Sequence, residues 1–337
     1  MKTNNKTNNG VDRVVAMYAE RMAERMEQMR AQGKKWRKNW ICTGASGLMP
    51  QNVQGREYTA MNAFILMMLA GMNKWQMPVY MTLNKCNELG ARVVKGASAT
   101  PVLFWRVYAR NADTGEIIKA EEYRRMNADE RKNWKQSATL RYYNVFNVEQ
   151  TTLKEDAPKE YGRLMKRADA SVRTCTDTDT DGMCRNAELD EMMISQSWVC
   201  PIRAEEQDCA FYSQAADMIT LPCKYQFTGA TRYDAGREYY STMLHEMAHS
   251  TGAEKRLNRL QNAAFASEAY AKEELVAELT AALVGYRLGI ETTINDNNAC
   301  YLASWAKVLK KEPRFIISVL ADVQKAQDMI LAHLKRA

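Results

Sequence analysis

Apolar residues recur at three- and four-residue steps between Asn9 and Gly33, at Val11, Val14, Val15, Tyr18, Met22, Met26 and Met29. That period puts them on one face of a helix, which Gly33 closes. The run AFILMMLAGM, Ala63 to Met72, is apolar on every side. It predicts a buried helix from about Thr59 to Ala70, being too short to cross a bilayer. Further on, MPVYMTLNKCNELGARVVKGASATPVLFWRVYAR predicts a strand, a short helix closed by Gly90 and two strands across a turn. LRYYNVFNVEQT predicts one more strand. The charged stretch before it, Asn111 to Lys135, is expected as a solvated hairpin extension.

The pattern changes in the back half. Lys154 to Trp198 is polar and reads as a linker or insertion. CAFYSQAADMITLP predicts a β-hairpin, followed by a helix from about Glu238 to Thr251. A longer helix starts near Ser267, a suitable N-cap, and ends at Gly289. Two more helices fill Ala299–Lys310 and Pro313–Lys335. The expected fold class is therefore α+β. A mixed front domain covers 1–153, a polar linker 154–198, and a mainly helical domain with a small sheet 199–337. No internal repeat is present.

Composition narrows the function classes. An apolar fraction of 46% marks a folded chain. The start, MKTNNKTNNG, has no apolar segment of a secretory signal, so the expected setting is cytoplasmic, with no membrane. The eight cysteines form no C-x-x-C pair, which argues against a zinc ribbon or a disulfide framework. Charge divides unevenly. Residues 1–150 hold 24 Lys+Arg against 13 Asp+Glu, a net +11, and residues 151–337 hold 23 against 27, a net −4. A basic front half suggests a polyanionic partner. Its densest segment interleaves Lys34, Lys35, Arg37 and Lys38 with Trp36 and Trp40. Cations that track a backbone and indoles that stack on bases suit single-stranded nucleic acid; a solvated basic surface is the plainer reading.

Of the chain's three histidines, two lie in TMLHEMAHSTG. His245 and His249 fall one helical turn apart, so both imidazoles can reach one cation. Glu246, beside the first, is placed to take a proton from water without ligating the metal. Zn2+ is the expected ion, and Mn2+ or Co2+ suits the same donors. His333, in the last turn of the last helix, reads as a helix-end cation. The third ligand should therefore be a carboxylate, and YAKEELVAELTAALVGYRLG offers Glu273, Glu274 and Glu278. Tyr239, Tyr240 and Tyr270 are equal candidates for an oxyanion donor.

One further motif stands apart. DTDTDGMCRNAE carries Asp177, Asp179, Asp181, Gly182 and Glu188 at the anchors of a Ca2+ loop, with a helix expected from Ala187 to Ser197. Against calcium stand the lack of a second loop, Arg185 at a water-mediated position, and the ordinariness of Asp-Thr repeats. A solvated insertion is the preferred reading.

The helix after the His pair resembles the Glu-zincin pattern. The resemblance implies Glu274 as the third ligand, Glu278 as the group orienting a histidine, and Glu273 facing outward. It also gives DMITLP the place of a substrate-binding edge strand. As a whole the chain resembles the ArdC-type antirestriction proteins of conjugative plasmids, mobile elements and phages. The likeness rests in front on Trp36, PQNVQGREYTAMN, LGARVVKG and NVFNVEQT, and behind on DMITLP, YYSTMLHEMAHSTG, RLNR, YAKEELVAEL and YLASW. It implies a single-stranded-DNA-binding domain shared with TraC primases, joined to a zincin-like metallopeptidase domain. Within the matched stretches Asn52, Arg56, Tyr58, Asn62 and Lys95 join the basic segment as expected DNA contacts. The implied role is protection of DNA during conjugation, with a protein substrate or host restriction enzyme as a further partner. A positive net charge excludes an acidic DNA mimic. Two other readings are a DNA-binding factor whose metal is only structural, and a cytoplasmic metallopeptidase whose front domain binds protein or RNA. Ala60, Ser250 and an inserted Ala168–Arg185 depart from the family pattern. Ser250 is expected to alter the rim of the metal cleft.

Overall fold

A computed structural model of the chain describes residues 5–32, 48–170, 175–261, 267–290 and 301–334. The elements run α1 (Asn5–Gln32), β1 (Gln51–Asn52), α2 (Ala60–Asn73), β2 (Val79–Met81), α3 (Leu83–Glu88), β3 (Thr100–Asn111), β4 (Ile117–Lys119), α4 (Ala120–Arg125) and β5 (Trp134–Asn147). They continue with α5 (Leu153–Asp156), α6 (Pro158–Asp169), α7 (Ala187–Ser195), β6 (Ile202–Glu205), β7 (Phe211–Ser213) and β8 (Met218–Pro222). The chain then turns helical in α8 (Arg232–Thr251), α9 (Glu268–Arg287), α10 (Leu302–Lys311) and α11 (Phe315–Leu334). The fold is α+β, as the pattern predicts. Among the described residues, no helix is long and apolar enough to cross a membrane.

The front sheet has the order β1-β2-β5-β3-β4. Its spine is the antiparallel pair β3–β5, in register from Thr100 opposite Val145 to Asn111 opposite Trp134. Both strands are rich in aromatic and β-branched residues, which suit an extended backbone. Asn62 of α2 locks this pair to the helices. Its side chain donates to Leu103 O at 2.7 Å and accepts from Leu103 N at 2.9 Å. The family likeness places Asn62 at a DNA surface. It is buried instead, with both ends of its amide spent on β3.

The seven apolar positions of α1 are all buried. They pack into one cluster with α2, α9, α10 and α11, including Phe64, Leu275, Trp305, Leu309 and Val319. The largest core thus joins the first helix to the last ones. The described residues of polar Lys154–Trp198 include most of α5 and all of α6 and α7. Leu153, Leu164 and Ala168 pack with Val79, Met81 and Cys86 of the front half. Leu189 and Met192 pack with Tyr240, Met243 and Leu244 of α8. Amphipathic helices with exposed outer faces account for its polar composition.

The back sheet has the order β6-β8-β7. β8 pairs in parallel with β6 and antiparallel with β7. DMITLP is therefore the central strand and not an edge, so a peptide could add only to β6 or β7. Helix α8 begins earlier than expected. Thr231 and Asp234 form a capping box at its start, which satisfies two N–H groups that a helix end otherwise leaves unpaired. The expected cap Ser267 accepts from Tyr270 N at 3.1 Å to open α9.

Candidate metal centre

Helices α8 and α9 pack together and bury five ionisable side chains at their contact: His245, Glu246, Glu273, Glu274 and Glu278. Carboxylates are rarely buried without a cationic or hydrogen-bonding partner. Here the partners include the two imidazoles, Arg259 and Tyr270. Nε2 of His245 and Nε2 of His249 lie 3.0 Å apart. Glu274 spans the two, with Oε2 at 3.5 Å from His245 Nε2 and Oε1 at 3.5 Å from His249 Nε2. Among the described residues, this is the one group of His, Cys, Asp and Glu side chains that could hold a metal ion, with ligand atoms all within 4.8 Å of one another.

The far side of each ring faces a second carboxylate. Glu278 Oε1 lies 3.7 Å from His245 Nδ1, and Glu273 Oε1 lies 3.4 Å from His249 Nδ1. A carboxylate at Nδ1 favours the tautomer whose Nε2 lone pair is free for a cation. Glu273 was expected to face outward. It is buried instead, and Arg259 holds it with Nε at 2.9 Å and Nη2 at 2.8 Å. Arg259 is itself fixed to Thr251 Oγ1 and Ala248 O, both at 3.0 Å. Arg256, in the same RLNR stretch, ties Ser250 O to Asp217. The signal for this brace was present in the sequence as two arginines three apart, directly after the His helix.

The electrostatics show strong mutual stabilisation. Burial would lower the basicity of both imidazoles, yet the facing carboxylates raise it, for His249 well above its ordinary value. Burial would raise the Glu274 carboxyl, but bonds to the two imidazoles hold it well below the usual carboxylate range. Glu246 is close enough to raise His245, His249 and Tyr270 by its charge. Of the three tyrosines, Tyr270 bonds Glu274 beside the cluster. Tyr240 donates to Asp190 at 2.7 Å, and Tyr239 faces Met193 Sδ at 3.1 Å, so both serve α7.

The remaining expected residues divide. Lys34, Lys35, Trp36, Arg37, Lys38 and Trp40 lie outside the described residues. Arg56 and Lys95 are exposed. Asn52 shapes a turn, accepting from Gln54 N and Arg56 N at 2.9 and 3.0 Å. Tyr58 is half-buried, edge-on to Tyr80 and bonded to Tyr143. Ser250 does not reach a cleft rim; it is buried and accepts from Trp198 Nε1 at 3.0 Å. Asp177, Asp179, Asp181 and Glu188 do not form a cation cage. Asp179 bonds Lys224 Nζ at 2.8 Å and accepts from Asp181 N and Met183 N. The loop instead turns tightly at Gly182, whose φ is +76°.

Comparison with known proteins agrees with this layout. Residues 14–146 match the family described as the N-terminal domain of anti-restriction factor ArdC, and residues 188–322 match a zincin-like metallopeptidase family. A DNA primase TraC of Escherichia coli is 32% identical over 300 residues, 88% of this chain. The chain spans only 25% of that primase's length. The crystal structure of the antirestriction ArdC protein from the R388 plasmid, in metal-free form, superposes with a TM-score of 0.66 at 24% identity, covering 94% of this chain and 98% of that one. Its Mn(II)-bound form gives 0.62 at 23% identity, covering 92% and 96%. These two likenesses are of fold.

Proposed function

The chain belongs to the ArdC-type antirestriction family, and from that premise we propose that it is a single-stranded-DNA-binding protection protein carrying a metal-dependent peptidase site. The observation that carries the peptidase half is the convergence of two imidazole Nε2 atoms and one carboxylate, each imidazole backed by its own carboxylate. His245, His249 and Glu274 are the ligands, and Glu278 and Glu273 orient the rings.

The charge count supports a divalent cation. With both imidazoles neutral, as ligation requires, four buried glutamates face one arginine at this contact. Unneutralised buried charge is costly, so a doubly charged ion offsets most of the excess. Two nitrogens and a carboxylate suit zinc and also manganese; the plasmid relative is known with Mn(II). When bound, such a cation polarises a carbonyl and makes water more acidic. The chain's own groups would do the rest. Glu246 accepts a proton from the attacking water on its carboxylate and returns it to the leaving amine. Tyr270 donates its hydroxyl hydrogen to the oxyanion that develops on the scissile carbonyl.

The DNA half rests on the basic front and on family membership. Its role is to cover single strands of a mobile element during transfer and to oppose host restriction. One variant tests how the two halves relate. Glu246→Gln should retain metal and single-strand affinity while peptide hydrolysis falls by at least about a hundred-fold. Protection against restriction is then assayed in cells. Lost protection would tie it to hydrolysis. Full protection in the variant would make the chain a binding factor whose metal only supports the fold.

A further inference from the structure

The ribbon β3–β5 presents two different faces. Residues directly opposite in an antiparallel pair share a face, and the register assigns them: Phe104 with Arg141, Arg106 with Thr139, Tyr108 with Ser137, Arg110 with Lys135. Lys119 of β4 lies opposite Tyr108 and joins the same face. Val102 opposite Tyr143 closes its inner end. This face therefore carries five cations and three aromatic rings. β3, β4 and β5 contain no Asp or Glu at all. Arg106, Arg110, Lys135 and Arg141 have no carboxylate partner among the described residues. Nε of Arg141 is buried and makes no hydrogen bond. Like charges gathered without counter-charges repel one another, an arrangement that an anionic ligand relieves.

The aromatic residues point the same way. Phe104 and Tyr143 are each 40% exposed. Their rings meet edge to face with centroids 5.6 Å apart, which fixes two ring faces on a rigid strand pair. The opposite face differs in kind. It holds Leu103, Trp105, Val107, Ala109, Leu140 and Tyr142, with no charge. Ala109 there is buried. Trp105 is 53% exposed, but no cation on its face could hold a phosphate.

We propose that the charged face of the β3–β5 ribbon is a track for single-stranded DNA, with Arg106, Arg110, Lys135 and Arg141 on phosphates and Phe104 and Tyr143 stacked on bases. The inference rests on the reading of the front half as a single-strand binder, and its residues are distinct from the basic segment Lys34–Trp40 and from residues Asn52 to Asn62. Same-face residues repeat every ~6.6 Å along a strand, a step that an extended single strand can follow. Stacking on exposed rings needs unpaired bases, so a duplex is a poorer ligand. Cations plus ring faces, without base-edge readers, make the binding tolerant of sequence.

The test uses the full chain and a fluorescent oligo-dT, with affinity measured by anisotropy across a salt series. The triple variant Arg106→Ala, Arg110→Ala, Lys135→Ala should weaken binding at least ten-fold and flatten the log–log salt slope by about 2, at ~0.7 per lost phosphate contact. Phe104→Ala should weaken binding about ten-fold with the slope unchanged, because stacking releases no counterions. Trp105→Ala should bind like the wild type. All three sites are exposed, and an unchanged melting curve for each variant would exclude misfolding. Wild-type binding that the triple variant and Phe104→Ala both retain, or that Trp105→Ala alone destroys, would overturn the track and leave the single-strand reading standing. A wild-type chain that does not bind the oligonucleotide would overturn both.

Discussion

Arg259 grips Glu273 with two nitrogens, and Glu273 faces Nδ1 of His249 at 3.4 Å. A ring so held cannot swing, so its Nε2 stays aimed at Glu274. The brace yields a prediction. Glu273→Gln keeps the shape but removes the negative charge behind the ring. It should weaken metal binding by about ten- to a hundred-fold, measured by competition with a chelator dye. Unchanged affinity would reduce Glu273 to an ion pair for Arg259. The motif H-E-x-x-H made His245, Glu246 and His249 legible from sequence, because the spacing itself is the chemistry. Glu273 was not legible. Adjacent helical residues normally diverge, and one of them is expected to meet solvent. α9 is buried on all sides from Glu273 to Tyr286, so Glu273 and Glu274 both find partners.

Among the elements, α8 decides whether the site forms, and its docking depends on one glycine. A Cβ at Gly236 would sit 2.3 Å from Cys184 N, with backbone that cannot step aside. Farther along, Tyr240 accepts from Asn186 N at 3.0 Å and donates to Asp190. The segment that follows the Asp-Thr repeat thus packs as a strut against the His helix. Gly236→Ala should cost about 3 kcal/mol or more, seen as a Tm several degrees lower with reduced metal content. An unchanged Tm would show that the contact is not needed. The sequence pointed to this helix but started it too late. Thr231 and Asp234 carry the cap, while Gly236 inside the first turns reads as a break when its packing partner is unknown. The edge position of β8 was implied only by the zincin resemblance, and the sheet order β6-β8-β7 corrects it. An apolar strand reads as buried, but sequence does not say which neighbours pair with it.

For the molecule as a whole, charge and packing divide the chain differently. The front half is basic and the back half mildly acidic, which made a two-part organisation legible in the sequence. Yet α1 packs with α9, α10 and α11 in one core, and Arg314 and Lys310 pair with Asp12 and Glu27 across it. Such exposed pairs add little to stability; the buried stripe of α1 does the joining. Periodicity revealed that stripe, but the helices it meets lie at the far end of the chain, and no local signal names them. The convergent histidines and Glu274 are proposed to hold a cation independently of the DNA surface. Mass-spectrometric metal content of wild type and Glu274→Ala, with oligonucleotide affinity on the same samples, tests it most directly. The expected result is about one divalent ion per chain, largely lost in the variant while DNA binding persists. Metal absent from the wild type, or equal in both proteins, would contradict it.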